Sequence, residues 1–150
     1  MRTERLGNLG SAADVLRRVD AGARAEGLPP PAALVGEWFG SHAVIAPTVD
    51  LRPVRQTEVF DVRPGDGTEA VGGGWIGYLS YPDPGADARG PRIPVAAGGW
   101  TDSLLRRDAD GTWWYECLSG APMPGWLPGA LAADEPDGDW HIDWHAPDPR

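Results

Sequence analysis

The spacing of apolar positions changes character along the chain. In "SAADVLRRVDAGARAEG" (11–27), Val15, Leu16, Val19 and Ala23 fall at helical intervals, which predicts a helix over 11–26 with one apolar face. Ser11, followed three residues later by Asp14, has the form of a capping box, and Gly27 is placed to end the helix. "LPPP" then forbids any continuation. Beyond it the apolar runs shorten. "AALVGEWF" and "HAVIAPTVDL" predict a hairpin with a tight connection. "RQTEVFDV" alternates polar and apolar residues, as a half-buried strand does, before the turn "PGDG". "WIGYLSY" predicts a further strand, closed by "PDPG". "WTDSLLRR" and "TWWYECL" flank "DADG", the clearest hairpin signal in the chain. "PGWLPGALAA" predicts a short helical turn, and both termini are expected to be loose. From Asp134 onward six carboxylates face one arginine, which predicts an exposed acidic tail over 134–150. The pattern as a whole predicts an α+β domain over 1–133, mainly antiparallel β-sheet with an N-terminal covering helix.

Composition alters this picture in a few places. A length of 150 residues suits one domain with a real core. The 21 glycines and 16 prolines approach low-complexity levels, but eight tryptophans argue for a folded, turn-rich domain. Tryptophans 38, 75, 100, 113 and 114 lie in predicted strands. Most are expected in the core, with some covering a partner-facing surface. Thirteen arginines and no lysine stand against 22 acidic residues, and the net charge of −9 disfavours nucleic acid as a partner. The lysine-free, Ala-, Gly-, Pro- and Arg-rich composition suggests a source of high G+C content. Cys117 is the single cysteine, so no intrachain disulfide or multi-cysteine metal site is possible. "MRTERLGNLG" lacks the apolar run of a signal peptide, and no stretch has the length of a membrane span. These features predict a cytoplasmic protein with no membrane partner.

Gly72, Gly74 and Gly77 in "VGGGWIGYLSYPDPG" fit G-x-G-x-x-G, the spacing of a phosphate-cradling dinucleotide loop. Such a loop needs a strand before it and a helix after it. Here "RPGDGTEA" precedes, and an aromatic, proline-terminated segment follows. Kinase-type and Walker loops need a lysine that this chain lacks. Gly72, Gly73, Gly74 and Gly77 are therefore read as structural, letting the backbone bend or pack closely at the start of a buried strand.

Other constellations yield to plainer readings. His141 and His145 are four apart, which suits one ion on a helix. The flanking Gly and Pro disfavour a helix, and on a strand the pair would stand about 13 Å apart at ~3.3 Å per residue. No metal site is expected. A Ser/His/Asp hydrolase has the right atoms, but no Gly-x-Ser-x-Gly elbow occurs, and His42 lies beside Ser41 in a predicted strand turn. Cys117, among bulky neighbours with no adjacent cation, reads as a buried inert thiol. No catalytic residue is assigned.

"GGGWIGYLSYPD" resembles the Gly-Gly-x-x-Gly-Tyr-x-x-Tyr-Asp segment in the N-terminal domain of aminodeoxychorismate synthase component I, and of the related anthranilate synthase component I. "AALVGEWFGSHAVIAP" is similar to that family's first strand pair. "RIPVAAGGWTDSLLRRDADGTWWYECL" is similar to its later Pro-containing strand and hairpin, so the likeness runs from Ala32 to Leu118. It implies a role in chorismate amination, toward 4-aminobenzoate and folate. In the family, chorismate and Mg2+ are held by a large C-terminal domain, and the chain stops near where that domain would begin. The resemblance thus implies a non-catalytic N-terminal domain, inactive alone and needing no cofactor of its own. Its partners would be a chorismate-binding domain and a glutamine amidotransferase subunit, with possible self-association through the uncovered face. The alternative is a free-standing module that binds an aromatic amino acid. The resemblance then places Glu37 on the ligand's amino group and Trp38 and Tyr78 as walls. The family's approximate Leu-Leu-Glu-Ser motif is replaced here by Leu34-Val35-Gly36-Glu37.

Overall fold

The computed structural model describes residues 1–60, 71–80 and 93–134. It is an α+β fold of two antiparallel sheets with an N-terminal helix packed on the larger one. The elements run β1 (Arg2–Gly7), α1 (Ala12–Ala25), β2 (Ala32–Trp38), β3 (Ser41–Ala46), β4 (Arg52–Pro53), a 3-10 turn (Gln56–Phe60), β5 (Gly74–Leu79), β6 (Ala96–Thr101), β7 (Ser103–Arg107), β8 (Trp113–Cys117) and α2 (Leu127–Ala132). The five-stranded sheet has the order β1-β8-β7-β3-β2, and the three-stranded sheet the order β4-β6-β5.

The α1 helix forms where its periodicity places it. The Ser11 hydroxyl accepts from the Asp14 amide while the Asp14 carboxylate accepts from the Ser11 amide, closing the capping box. At the other end Gly27 takes φ +66°, the left-handed turn that terminates a helix. Val15 and Val19 are buried against Ala43, Ile45, Leu105, Trp113 and Tyr115 of the sheet, and Ala23 on the same helix is also buried. Leu127 and Leu131 of α2 complete that core. A Cβ on Gly22 would lie 2.6 Å from the Ala130 Cβ, so the glycine sets how closely the helices approach.

The opposite face of the large sheet carries Val44, Ala46 and Leu104, which with Val49 form a second cluster. Val71 and Ile76 pack onto it, bringing the small sheet over this face. Strands β7 and β8 are thereby covered on both sides, and only one residue, Asp102, separates β6 from β7.

Three local expectations are corrected. The N-terminus is not loose: Arg2–Gly7 pairs along β8 as an edge strand, held by backbone bonds that an apolar pattern does not report. Within "RQTEVFDV", Gln56–Phe60 is a 3-10 turn, not a strand. There the Glu58 amide donates to the Arg55 carbonyl at 2.9 Å and its carboxylate accepts from the Arg55 amide at 3.0 Å, so local bonds displace the ladder. Most of the five strand tryptophans are not core: Trp113 is fully buried, Trp75 and Trp114 are half-buried, and Trp38 and Trp100 are exposed. The "PGDG" and "PDPG" turns lie outside the described residues, as does the acidic tail beyond Asp134 with His141 and His145.

Candidate functional site

The glycine segment enters the small sheet through a bend. Gly72 has φ +71° and Gly74 φ +152°, conformations that side chains with a Cβ rarely take. A strand, β5, follows instead of a helix, so no helix N-terminus faces the loop. The strand is half-buried at Trp75 and Ile76 and exposed from Gly77 to Leu79, where a buried strand was expected. The loop does cradle an anion, and that anion is a side chain of this protein. The Val71 and Gly72 amides donate to Oε2 of Glu116 at 2.8 and 2.9 Å. A Cβ on Gly72 would come within 2.7 Å of Leu118 Cδ2, and one on Gly73 within 2.6 Å of the Thr101 carbonyl oxygen.

Glu116 is fully buried, and Oε1 accepts from Arg106 Nε at 2.5 Å. Arg106 also pairs with Asp108 and donates weakly to the Ser41 hydroxyl at 3.4 Å, while Trp114 Nε1 donates to Asp108 Oδ2 at 2.6 Å. Burial works against the Arg106 charge, but Glu116 and then Asp108 outweigh it and raise its pKa above the ordinary arginine value. In the hairpin register Leu104 faces Glu116 and Arg106 faces Trp114, so the ion pair is a diagonal contact on the face beneath the small sheet. With its oxygens occupied by backbone and guanidinium donors, Glu116 acts as a clamp between the sheets and is not open to substrate.

These three charged residues are absent from the sequence-derived site. The alternation of β7 and β8 does contain Arg106 and Glu116, as Leu104-x-Arg106 and Trp114-x-Glu116, while Asp108 lies just beyond β7. Pattern alone reads such positions as solvent-facing, because it does not show the second covering sheet.

The structure does not gather Glu37, Trp38 and Tyr78 into one closed pocket. Glu37 and Trp38 end β2 on the large sheet, whereas Tyr78 pairs with Ala97 in the small sheet. All three are exposed. No hydrogen bond or ring contact joins them among the described residues. Ser41 is buried and accepts from Arg106, and His42 is exposed without a hydrogen bond to it, so the hydrolase arrangement does not form there.

Cys117 is buried and donates to Asp102 Oδ2 at 3.3 Å, with Ser119 Oγ also 3.3 Å from the sulfur. The Ser119 hydroxyl, more than the thiol, holds the Asp102 carboxyl below its ordinary range. Burial pushes the Tyr115 hydroxyl up. Among the described residues no group of three or more His, Cys, Asp or Glu could hold a metal ion. No helix among them is long and apolar enough to cross a membrane.

The outer face of the small sheet carries aromatic side chains. Ile76 faces the buried cluster, so its neighbours along the strand, Trp75 and Leu79, lie on the outer face. A Cβ on Gly77 or Gly98 would strike the Trp75 ring at 2.4 and 2.0 Å, which places the indole across both glycines. Trp100 pairs directly with Trp75 and is 46% exposed. Comparison with protein-family models, with curated proteins and with solved structures returns no match to this chain.

Proposed function

We propose that this chain serves as the non-catalytic N-terminal domain of an aminodeoxychorismate synthase component I-like protein, contributing to chorismate amination through a partner. The observation that carries the reading is the outer face of the small sheet, where Trp75 lies flat over Gly77 and Gly98 beside exposed Trp100. The glycine–aromatic motif that bears the resemblance builds this face. An aromatic platform of this kind suits burial against another domain. The partners are then a chorismate-binding domain, which supplies the Mg2+ site and the acid–base groups, and a glutamine amidotransferase subunit that supplies ammonia. Glu116 and Arg106 act at one remove, fixing the motif's backbone to the large sheet.

Pure protein incubated with chorismate, Mg2+ and ammonium should give only the no-enzyme background by chromatography. Adding a separately expressed chorismate-binding domain of the family should form a complex, and Trp100→Ser should weaken it. Turnover by the chain itself, or no complex, overturns the reading.

A second reading, an aromatic amino-acid binding module, draws on one feature. The Glu37 carboxylate has no hydrogen-bond or ion-pair partner among the described residues and stands beside Trp38, able to receive an ammonium group. The separation of Tyr78 from this pair favours weak binding. Submicromolar affinity for L-tryptophan by calorimetry, abolished in Glu37→Ala, would favour the second reading over the first.

A further inference from the structure

The two outer strands of the large sheet carry an exposed aromatic hairpin end on one side and an apolar groove on the other. On the β2 side, the hairpin closes through Phe39 and Gly40, at φ +52° and +71°, between the paired Trp38 and Ser41. Positive φ at both central residues is the type I′ geometry, in which Asn or Gly takes the first place. Phe39 holds it instead, against the preference of any side chain with a Cβ. Its ring is 69% exposed and lies 6.4 Å from that of Trp38, itself 43% exposed, with a 46° tilt. Val35, on the same strand, is 63% exposed. The register shifts between Val35 and Trp38, with Gly36 at φ +121°, so Glu37 leaves the ladder beside the aromatic pair. The hairpin end is therefore an apolar knob carrying one unpaired negative charge.

On the β1 side lies an open groove of about 270 Å³, lined by Leu6 and Leu9 on one wall and Met123, Pro128 and Leu131 on the other. Arg18 ties the walls together. Its guanidinium donates to the Leu131 carbonyl at 2.5 Å and to the Leu9 carbonyl. Glu4 also lines the groove and pairs with the half-exposed Arg2 at 2.9 Å. Arg2 and Glu4 alternate along β1 ahead of the register shift at Leu6 and share one strand face, and their ion pair puts an arginine at the rim.

β1 and β2 are the two edges of one sheet, so the knob and the groove stand on opposite edges of the large sheet and do not meet within it. We propose that a second copy of this chain seats its Trp38–Phe39 knob in this groove, with Glu37 meeting the Arg2 rim. The contact is heterologous, so each added copy leaves a free knob and a free groove, and growth continues until a ring closes. Two aromatic side chains bury far less than a standard interface, so the association is transient. This inference goes beyond the chorismate reading and does not depend on it.

Sedimentation velocity over a wide concentration range tests the proposal. Wild type should sediment faster as concentration rises. Trp38→Ser with Phe39→Gly removes the knob, and Ala132→Glu, at an exposed position lining the groove, fills and charges its floor. Each should raise the dissociation constant at least about tenfold, the loss expected for an aromatic anchor. All sites are exposed and Phe39→Gly relieves the turn, so melting temperatures should hold. Mixing the two variants restores one intact knob and one intact groove, and should give a 1:1 dimer that grows no further. A strictly monomeric wild type, association that survives either variant, or a mixture that stays monomeric overturns the proposal. Association lost only in Trp100→Ser would assign self-contact to the small sheet and overturn it equally.

Discussion

The two sheets are built on opposite principles. The large one is a helix-covered ladder whose core side chains fill space: Trp113, Tyr115, Ile45 and Leu105 are all at most 1% exposed. The small one has almost no side-chain volume at its centre. β6 reads Ala96-Ala97-Gly98-Gly99, and one indole, Trp75, spreads over the gap left by Gly98 and its β5 neighbour Gly77. The first arrangement excludes water by its own packing. The second leans on one aromatic lid, on the neighbouring sheet and on a buried ion pair. The glycine-rich sheet is thus the dependent part of the molecule, and the place where an external partner has most to cover.

The sharpest way to break this dependence is Glu116→Ala. It leaves the Arg106 guanidinium with Asp108 as its one remaining ion-pair partner among the described residues and the Val71 and Gly72 amides without an acceptor. Removing one member of a buried pair costs about 3–5 kcal/mol, measurable by chemical denaturation. Amide exchange should localise the damage, with protection falling first in β5 and β6 while β7 and β8 keep theirs. A Glu116→Leu/Arg106→Met double variant should recover part of the loss because no buried guanidinium remains, while the partly exposed Asp108 keeps its Trp114 donor. Uniform loss of protection across both sheets would mean that they form one cooperative unit.

The same contrast explains what the chain revealed before its structure was known. The helix announced itself through Ser11, Asp14 and Gly27, and the β7–β8 hairpin through "DADG", because caps and turns act between near neighbours. β1 was silent, since an edge strand held by backbone bonds needs little apolar pattern. The glycine segment was legible as structural but not its reason, a carboxylate 44 residues away in sequence. Glu116 itself was hidden because β8, "WWYEC", is covered on both faces, and a doubly covered strand has no outward face for a charge to mark. Of the ligand set, Glu37 and Trp38 are chain neighbours at the hairpin end, but the sheet to which Tyr78 belongs is fixed by long-range pairing.

A smaller perturbation addresses the aromatic lid directly. In Gly98→Ala the new Cβ would sit 2.0 Å from the Trp75 ring, so the indole must lift. Overpacking of this kind costs about 1–3 kcal/mol, and the released tryptophan should shift its emission to longer wavelength. Gly129→Ala is the control. It sits in α2 with nothing within 4 Å of its Cβ, and should be neutral or gain about 0.5–1 kcal/mol from helix propensity. If Gly98→Ala proves as benign as Gly129→Ala, the indole is not a lid and the small sheet is held by something else.

The smallest expected effect lies at the single residue between the sheets. The Asp102 backbone carbonyl accepts from the Leu118 amide at 2.9 Å, and its carboxylate accepts from the Ser119 hydroxyl and the Cys117 thiol. These donors favour the ionised form, with Ser119 foremost, and lower the carboxyl pKa from 3.8 against a burial penalty that exceeds the thiol's contribution. A lowered folded-state value means that the unfolded chain takes up the proton first as pH falls. The contribution of Asp102 is therefore complete above the unfolded value and disappears as pH drops from there through the folded one. Because the residue is exposed, solvent screening keeps the effect below about 1 kcal/mol. Asp102→Asn should be slightly less stable than wild type at neutral pH, and the gap should close as pH falls below 3.8. Asp14, whose pKa is lowered chiefly by Ser11 and then Arg17, offers the matching probe on the helix side. Asp14→Asn should show the same pH signature while disturbing α1 alone. A gap between wild type and Asp102→Asn that widened in acid would reverse the sign and show that the carboxylate destabilises the connection between the two sheets.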